Sequence, residues 1–220
     1  MESNIYADKS SLILDWLLRV GVRKPTFGLR EVAKDTGVSV GLVQRVFASL
    51  VQNGFLLSEG VRTSKKFSLH NPAALLKSWL SQYSIVKKCK MRTYRSALRG
   101  RGEMLQALKG SDLDQKVALA LHSAAEAHKC RNTNLNTLEL YLLEPGIRSR
   151  VEEVLQLELQ EKGYEVLLIE PYYKCLLSYN AVSPPLLTYL DLYHFPLRGQ
   201  EQAEFMIERI PELKQIYKKR

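Results

Sequence analysis

Several side chains in the second half of the chain have the types that enzymes use for metal-dependent chemistry. Asp112 and Asp114 form an Asp-x-Asp pair, which two-metal nucleotidyl transferases need. The pair lacks a separate upstream Gly-Ser and a preceding strand, so we expect Asp112 to cap the turn before a strand at Val117. Glu170 and Lys174 suggest a nuclease-like cluster with these acids, but their spacing differs from the usual Glu-x-Lys arrangement.

Three further residues are of metal-binding type. His122, His128 and Cys130 lie close together in the sequence, but no fourth ligand is evident, so a structural role is expected. The chain contains no Gly-x-Ser-x-Gly elbow, no phosphate-binding loop and no dinucleotide fingerprint. We therefore expect no catalytic residues, no metal site, no cofactor and no enzymatic activity.

The charge distribution points to a different chemistry. The chain has 220 residues and a formal net charge of +9. Residues 1–109 contain 19 Lys and Arg against 7 Asp and Glu, whereas residues 110–220 contain 13 against 16. This asymmetry predicts a polyanion-binding half joined to a near-neutral half. A solvated basic surface without a partner is the alternative.

Composition also bears on location. The three cysteines are far apart and odd in number, which is typical of a reducing cytoplasm. The sequence has no run of 18 apolar residues and no basic start followed by an apolar stretch, so neither a membrane span nor a secretory signal is expected. We predict a cytoplasmic protein without a membrane partner.

The first 70 residues have the pattern of three helices followed by a hairpin. A helix capped by Ser10 or Ser11 ends at Gly21, a second is stopped by Gly37, and a third begins after Ser39. The hairpin pairs residues 55–57 with residues 66–69. This order predicts a winged helix-turn-helix domain over residues 1–70, a fold that many DNA-binding regulators have.

The third helix and the hairpin supply the candidate DNA contacts. Its apolar face contains Leu42, Val46 and Leu50, so the opposite face is free to enter a major groove. Gln44 could form hydrogen bonds with an adenine base and Arg45 with a guanine base, and either side chain could instead bind a phosphate. The predicted DNA-binding residues here are Ser39, Val40, Gly41, Gln44, Arg45 and Ser49 on the helix, and Arg62, Thr63, Ser64, Lys65 and Lys66 at the wing tip.

A basic segment follows the winged helix. We predict a helical connector over residues 71–109, in which residues 87–101 contain seven basic residues and no acid. Lys87, Lys88, Lys90 and Arg92 are candidate phosphate contacts. The run could equally dock on an acidic protein or keep the connector soluble.

Residues 110–220 are predicted to form an α/β domain. Strands at 138–143 and 164–169 enclose a helix at 147–162, a β-α-β unit that implies parallel strands. Residues 175–179 are a further candidate strand, and a final helix opens at Arg198, fixed by an Asp191–Arg198 ion pair. The predicted fold class is therefore mixed α and β, with an N-terminal winged helix-turn-helix and a C-terminal α/β domain.

Three sequence features resemble the AbiEi family, the antitoxins of type IV abortive-infection toxin-antitoxin systems. They are the Pro-x-Leu-x-x-Tyr-Leu-Asp-Leu run ending at Leu192, the Arg-Gly-x-Glu-x-Ala run from Arg198 to Ala203, and the stretch from Ala118 to Ala125. The resemblance implies a repressor that binds double-stranded operator DNA of its own operon, with inverted repeats as the expected site. It also implies an antitoxin that opposes a nucleotidyltransferase-type toxin without a stable complex.

Two other function classes stay open at this point. A nucleic-acid-processing enzyme with a nuclease-like C-terminal domain would need clustered acids and a metal ion. A protein-interaction adaptor would have no salt-dependent affinity for DNA. The sequence has no heptad pattern that would predict a dimer.

Overall fold

The computed structural model describes residues 4–61, 64–113, 115–131, 136–172 and 181–218. The chain divides into two units: unit 1 comprises Met1–Tyr83 with Pro211–Arg220, and unit 2 comprises Ser84–Ile210. Helices precede a sheet-containing C-terminal region, so the predicted mixed α and β class is confirmed. The predicted domain boundaries at residues 70 and 109 stay a prediction. None of the described helices has the length and apolar character needed to cross a bilayer.

Unit 1 has the predicted order of three helices and a hairpin. Its elements are α1 (Asp8–Arg19), a 3₁₀ turn (Gly21–Arg23), α2 (Leu29–Thr36), α3 (Val40–Gln52), β1 (Leu56–Glu59), β2 (Lys66–Leu69) and α4 (Pro72–Gln82). The last helix of the chain, α11 (Pro211–Tyr217), also belongs to this unit. β1 and β2 pair antiparallel, with Leu56 opposite Leu69.

The expected cap of α1 is wrong. Helix α1 begins at Asp8, and Ser10 and Ser11 are buried inside it. The Ser11 hydroxyl donates to the Asp8 carbonyl at 2.6 Å, so it is used within the helix rather than at its start. The turn between α2 and α3 is as predicted: Gly37 has a φ of +68°, the left-handed conformation in which glycine ends helices without strain.

A row of aromatic rings forms the centre of unit 1. Phe27 lies edge-to-face between Trp16 of α1 and Phe47 of α3, with ring centroids 5.2 and 5.8 Å away. Phe47 in turn contacts Phe67 of β2 at 4.8 Å. The backbones of Phe27 and Phe67 also exchange two hydrogen bonds, at 2.8 and 2.9 Å. The hairpin is therefore fixed to the helices by both packing and backbone bonds.

Unit 2 is a mixed sheet with helices on both faces. Its elements are α5 (Ile85–Lys88), β3 (Lys90–Ser96), α6 (Gly100–Lys109), β4 (Val117–Leu119), α7 (Leu121–Ala127), β5 (Leu138–Leu142), α8 (Arg148–Val154), β6 (Leu157–Leu159), β7 (Val166–Glu170), α9 (Pro185–Tyr193) and α10 (Gly199–Arg209). The strand order is β4-β5-β7-β3-β6. β5 and β7 are parallel, which confirms the predicted parallel pair, and the other neighbours are antiparallel.

The two faces of this sheet bury different side chains. On one face, Tyr94, Leu140 and Leu168 pack with Met104 of α6 and Val151 of α8 in one apolar cluster. The alternate residues of β5 and β7 point to the opposite face, where α7, α9 and α10 contact one another and α7 contacts β5. Burial on both faces explains why β5 and β7 are almost continuously apolar.

Several elements differ from the sequence-based expectation. The helix predicted at 147–162 is confirmed only in its first half: α8 ends at Val154, Gln156 adopts a φ of +50°, and residues 157–159 form strand β6. The connector predicted at 71–109 is helical only in part, because Lys90–Ser96 form a strand inside the sheet. The final helix is followed by a further one, α11. The strand predicted at 175–179 lies outside the described residues.

Candidate nucleic-acid interface

The outer face of α3 carries the residues predicted to read DNA. The Ser39 hydroxyl accepts a hydrogen bond from the Leu42 N–H at 3.2 Å, which caps the helix as expected. Val43, Val46, Phe47 and Leu50 are buried and fix the rotation of α3. The predicted contacts Ser39, Val40, Gly41, Gln44 and Arg45 are consequently exposed, and Ser49 is half-buried.

The hairpin holds a second group of predicted contacts. Ser64, Lys65 and Lys66 are exposed, and the Lys65 ammonium lies 5.5 Å from the centroid of the Phe67 ring. The Ser64 hydroxyl donates to the Val61 carbonyl at 2.8 Å, which shapes the tip. Arg62 and Thr63, also predicted contacts, lie outside the described residues.

A groove joins these two groups. It has a volume of about 800 Å³ and lies between the start of α2, the outer face of α3 and β2. Gln44 lines it from α3, and Lys65 and Lys66 line it from the hairpin. Arg30 of α2 also lines the groove, and the sequence analysis missed it. A helical projection of α2, with Val32 and Ala33 inward, is the signal that could have identified Arg30 as an outward cation.

The acidic residue in the groove lining is engaged with other groups. The carboxylate of Glu31 pairs with the Lys24 ammonium and accepts from the Gly28 N–H at 3.3 Å. The hydrogen bond from Lys24 is the main reason that the pKa of Glu31 is lowered. Glu31 therefore carries little unbalanced negative charge, and Arg30, Lys65 and Lys66 make the groove favourable for an anion.

In unit 2, the strand geometry divides the basic run at 87–101. Lys87, Lys90 and Arg92 are exposed, and their side chains make no hydrogen bond or ion pair with the described residues. Lys88 is half-buried, with its ammonium 4.5 Å from the centroid of the Tyr172 ring. Three of the four predicted phosphate contacts in this run are thus exposed and unpaired within the part of the chain that the structure describes.

Two other cations of the run have intramolecular partners. Arg95 pairs with Glu158 of β6 at 2.6 Å. Arg101 pairs with Glu126 at 3.0 Å and donates to the Thr137 carbonyl at 3.1 Å. The basic run is therefore not one continuous patch, because alternation along β3 sends neighbouring side chains to opposite faces.

The residues considered for catalysis are separated. Asp112 pairs with Arg150 at 3.1 Å and with Lys116 at 3.6 Å, and Glu170 pairs with Arg148 at 3.3 Å. Asp114 and Lys174 lie outside the described residues. Across the described ranges, no three His, Cys, Asp or Glu side chains meet in an arrangement that could hold a metal ion. His128 Nε2 lies 2.7 Å from the Ser183 carbonyl, a backbone contact.

Two buried carboxylates in unit 2, which the sequence analysis did not single out as a network, have hydroxyl partners. Glu139 accepts from the Ser123 N–H at 2.9 Å, the Thr137 hydroxyl at 2.5 Å and the Tyr164 hydroxyl at 3.2 Å. Asp191 accepts from the Tyr141 hydroxyl at 2.7 Å. Burial is the main cause of the raised pKa values of Tyr164 and Tyr141. Such satisfied networks hold elements together and are typical of a structural role.

The predicted Asp191–Arg198 pair is wrong. Arg198 is exposed, adopts a φ of +66° and pairs with Glu201, whereas Asp191 is buried against Tyr141. The residue after it, Gly199, explains the geometry of the Arg-Gly run. A Cβ atom at Gly199 would lie 2.3 Å from the Leu192 carbonyl oxygen, so only glycine lets α10 start this close to the end of α9.

Comparisons with known proteins extend these observations. No curated protein and no solved structure matches the chain. A family model described as "Transcriptional regulator, AbiEi antitoxin, Type IV TA system" matches residues 68–211. The match includes the three sequence features that suggested the family, and it covers well over half of the 220 residues. The chain therefore belongs to the AbiEi family of transcriptional-regulator antitoxins of type IV toxin-antitoxin systems.

Proposed function

We propose that the chain represses its own operon by binding double-stranded operator DNA through α3 and the hairpin of unit 1. The observation that carries this proposal is the groove beside α3, in which Gln44 is flanked by the cations Arg30, Lys65 and Lys66. An exposed helix face with amide and guanidinium groups can read base edges in a major groove. The flanking cations are suited to the phosphates on either side.

The proposal assigns a role to each predicted contact. Gln44 and Arg45 read bases, and Ser39, Val40, Gly41 and Ser49 lie along the approach of the helix to the groove. Arg62, Thr63, Ser64, Lys65 and Lys66 contact phosphates or the minor groove from the wing. Lys87, Lys88, Lys90 and Arg92 of unit 2 add sequence-independent phosphate contacts. Inverted repeats in the operator would bring two copies of unit 1 to the same DNA.

The antitoxin role is the second part of the proposal. The family match supports an antitoxin of a type IV system. We infer that the toxin is of the nucleotidyltransferase type, and that the chain opposes it in the cytoplasm without forming a stable complex. The proposal includes no catalytic step in this chain. Co-expression of a nucleotidyltransferase-type toxin with the wild-type chain, followed by size-exclusion chromatography, tests this part: rescued growth without co-elution is expected.

Operator binding is tested by titration of the full-length protein against two duplexes. One duplex is the region upstream of its own gene, the other is a scrambled sequence of the same composition, and each is measured at two salt concentrations. Preferential binding to the upstream duplex, weakening as salt increases, is the expected result. Equal affinity for both duplexes would contradict operator reading, and no affinity for either would contradict DNA binding altogether.

A further inference from the structure

Unit 1 combines two segments that are distant in the sequence. The winged-helix elements and α4 come from Met1–Tyr83, and α11 comes from Pro211–Arg220 at the other end. In the sequence, unit 2 is inserted between these two segments of unit 1. We propose that α11 is an integral part of the DNA-binding unit, so that detaching α11 from α4 destabilises unit 1 and weakens operator binding.

The first support is the burial of α11. Leu213 and Ile216 are spaced three residues apart and therefore share one face of the helix. Their exposed fractions are 0% and 1%. This face packs on α4, whose own inward residues include Leu76 and Trp79. Complete burial of both side chains means that α11 supplies part of the core of unit 1 rather than covering its surface.

The second support is the surface that α11 shares with the hairpin. A groove of about 740 Å³ is lined by Leu57 and Leu69 of the hairpin, by Pro72 at the start of α4, and by Ile216 and Tyr217 of α11. The hairpin that carries Lys65 and Lys66 thus shares this groove with α11. Removal of α11 would open the groove and expose the apolar residues Leu57 and Leu69 further.

The third support is electrostatic. Burial is the largest influence on the pKa of Asp15 and on that of Arg19 in α1, and the ion pair between the two groups, at 2.7 Å, opposes it in each case. The charge of Glu212 in α11 is a smaller influence that raises the pKa of both groups. Glu212 therefore lies near this ion pair of α1, in addition to the contact of α11 with α4.

The family match can be compared with the segments that form unit 1. The matched region spans residues 68–211, so α1–α3 and β1 lie before it, nearly all of α11 lies after it, and α4 lies inside it. Unit 1 thus combines both flanks of the antitoxin-family region with α4 from its start. A small unit buries a limited core, so removal of one helix is costly to its stability.

Tryptophan fluorescence can test this proposal selectively. The two tryptophans of the chain, Trp16 and Trp79, both lie buried in unit 1. The test compares full-length wild type with the double variant Leu213→Asn/Ile216→Asn and with the control Gln215→Asn, on a less buried position of the same helix. We expect the double variant to unfold at a clearly lower urea concentration by tryptophan emission. We also expect at least a tenfold reduction in operator affinity, with the control unchanged in both.

Two additions keep the outcomes distinct. Ile216→Ala, a milder variant, should give a smaller shift in the same direction if the double variant does not fold. Hydrogen exchange should increase in peptides from α1 to α4 and stay unchanged in β5 and β7. An unchanged fluorescence midpoint in both variants would overturn the proposal. The operator readout rests on the proposed function; if wild type does not bind DNA, that function fails, while the fluorescence midpoint still decides whether α11 closes unit 1.

Discussion

At the scale of single residues, two arginines of unit 1 differ in what they can recognise. Arg45 lies on the outer face of α3 next to Gln44, whereas Arg30 lines the groove from α2. We expect Arg45→Ala to weaken binding to the operator by about 1–3 kcal/mol and to leave binding to scrambled DNA nearly unchanged. Arg30→Ala should weaken both duplexes equally, because a phosphate contact carries no sequence information.

Titration of both variants against the two duplexes measures this difference. Lys77→Ala is the control, since Lys77 is an exposed cation of unit 1 on α4, outside the groove lining. Equal weakening on both duplexes for Arg45→Ala would make Arg45 a phosphate contact. Unchanged affinity for either variant would remove that arginine from the interface.

Gly199 gives a prediction about stability. Its added Cβ would lie 2.3 Å from the carbonyl oxygen of Leu192 in α9 and 3.0 Å from the Cβ of the buried residue Phe195, which follows that helix. Gly199→Ala should therefore lower the free energy of unfolding by about 1–3 kcal/mol. Gly102→Ala is the matched control: it lies in α6 with no atom within 4 Å of an added Cβ, and should be neutral or stabilising. Urea unfolding followed by circular dichroism compares them, and equal stability of the two variants would contradict the steric argument.

At the scale of elements, a helix or turn could be predicted where residues close in sequence determine it, and could not be predicted where a distant strand does. The α2–α3 turn was predictable, because Gly37 and the Ser39 cap act within a few residues. The end of α8 was not, because the apolar spacing of Val151, Leu155 and Leu159 also fits a longer helix. In the structure, Leu155 is buried but Leu159 is 71% exposed on strand β6. Pairing with β3, a strand distant in sequence, decides the outcome.

Helix α5 and strand β3 hold the exposed cations of the basic run that have no ion pair among the described residues, Lys87, Lys90 and Arg92. Replacing Lys87, Lys90 and Arg92 with Gln should flatten the dependence of the binding constant on salt, with a change in log–log slope of about 0.9 for each phosphate that the variant no longer neutralises. Affinity for operator and scrambled DNA should fall together. Titrations at several salt concentrations measure the slope.

The matched control for this strand is Arg95→Gln. Arg95 also lies on β3, but its guanidinium is paired with Glu158. We expect its slope to equal that of wild type. If the triple variant also keeps the wild-type slope, the basic residues of unit 2 do not contact DNA.

At the scale of the whole molecule, the charge asymmetry could be read from the sequence. The sequence did not show which segments of the chain form each unit. The association of α11 with α4 depends on Leu213 and Ile216 meeting a helix more than a hundred residues earlier. No local pattern encodes such a partner. The lining of the groove was predictable in part, since Gln44 and the lysines of the hairpin follow from helical periodicity and the hairpin pattern, whereas the place of Arg30 in the groove required the positions of α2 and β2 together.

The pH dependence of global stability follows from one buried imidazole. His122 is 5% exposed and packs against Phe195, and neither ring nitrogen makes a well-formed hydrogen bond within the described chain. Burial lowers the pKa of His122 below its ordinary value of 6.5, more than the nearby carboxylate of Glu139 raises it. The imidazole therefore stays neutral in the folded chain under conditions in which the unfolded chain takes up a proton.

The sign of the effect follows from this difference in proton uptake. Below pH 6.5 the unfolded chain binds more protons at His122 than the folded chain, so stability should fall with decreasing pH, by at most about 1.4 kcal/mol per pH unit. His122→Leu should remove this contribution between about pH 6.5 and 5 and keep or raise stability at pH 7.5, because it also removes two unsatisfied buried nitrogens. Urea unfolding followed by circular dichroism across this pH range measures the slope, and an identical pH dependence in wild type and His122→Leu would show that the imidazole is protonated equally in both states.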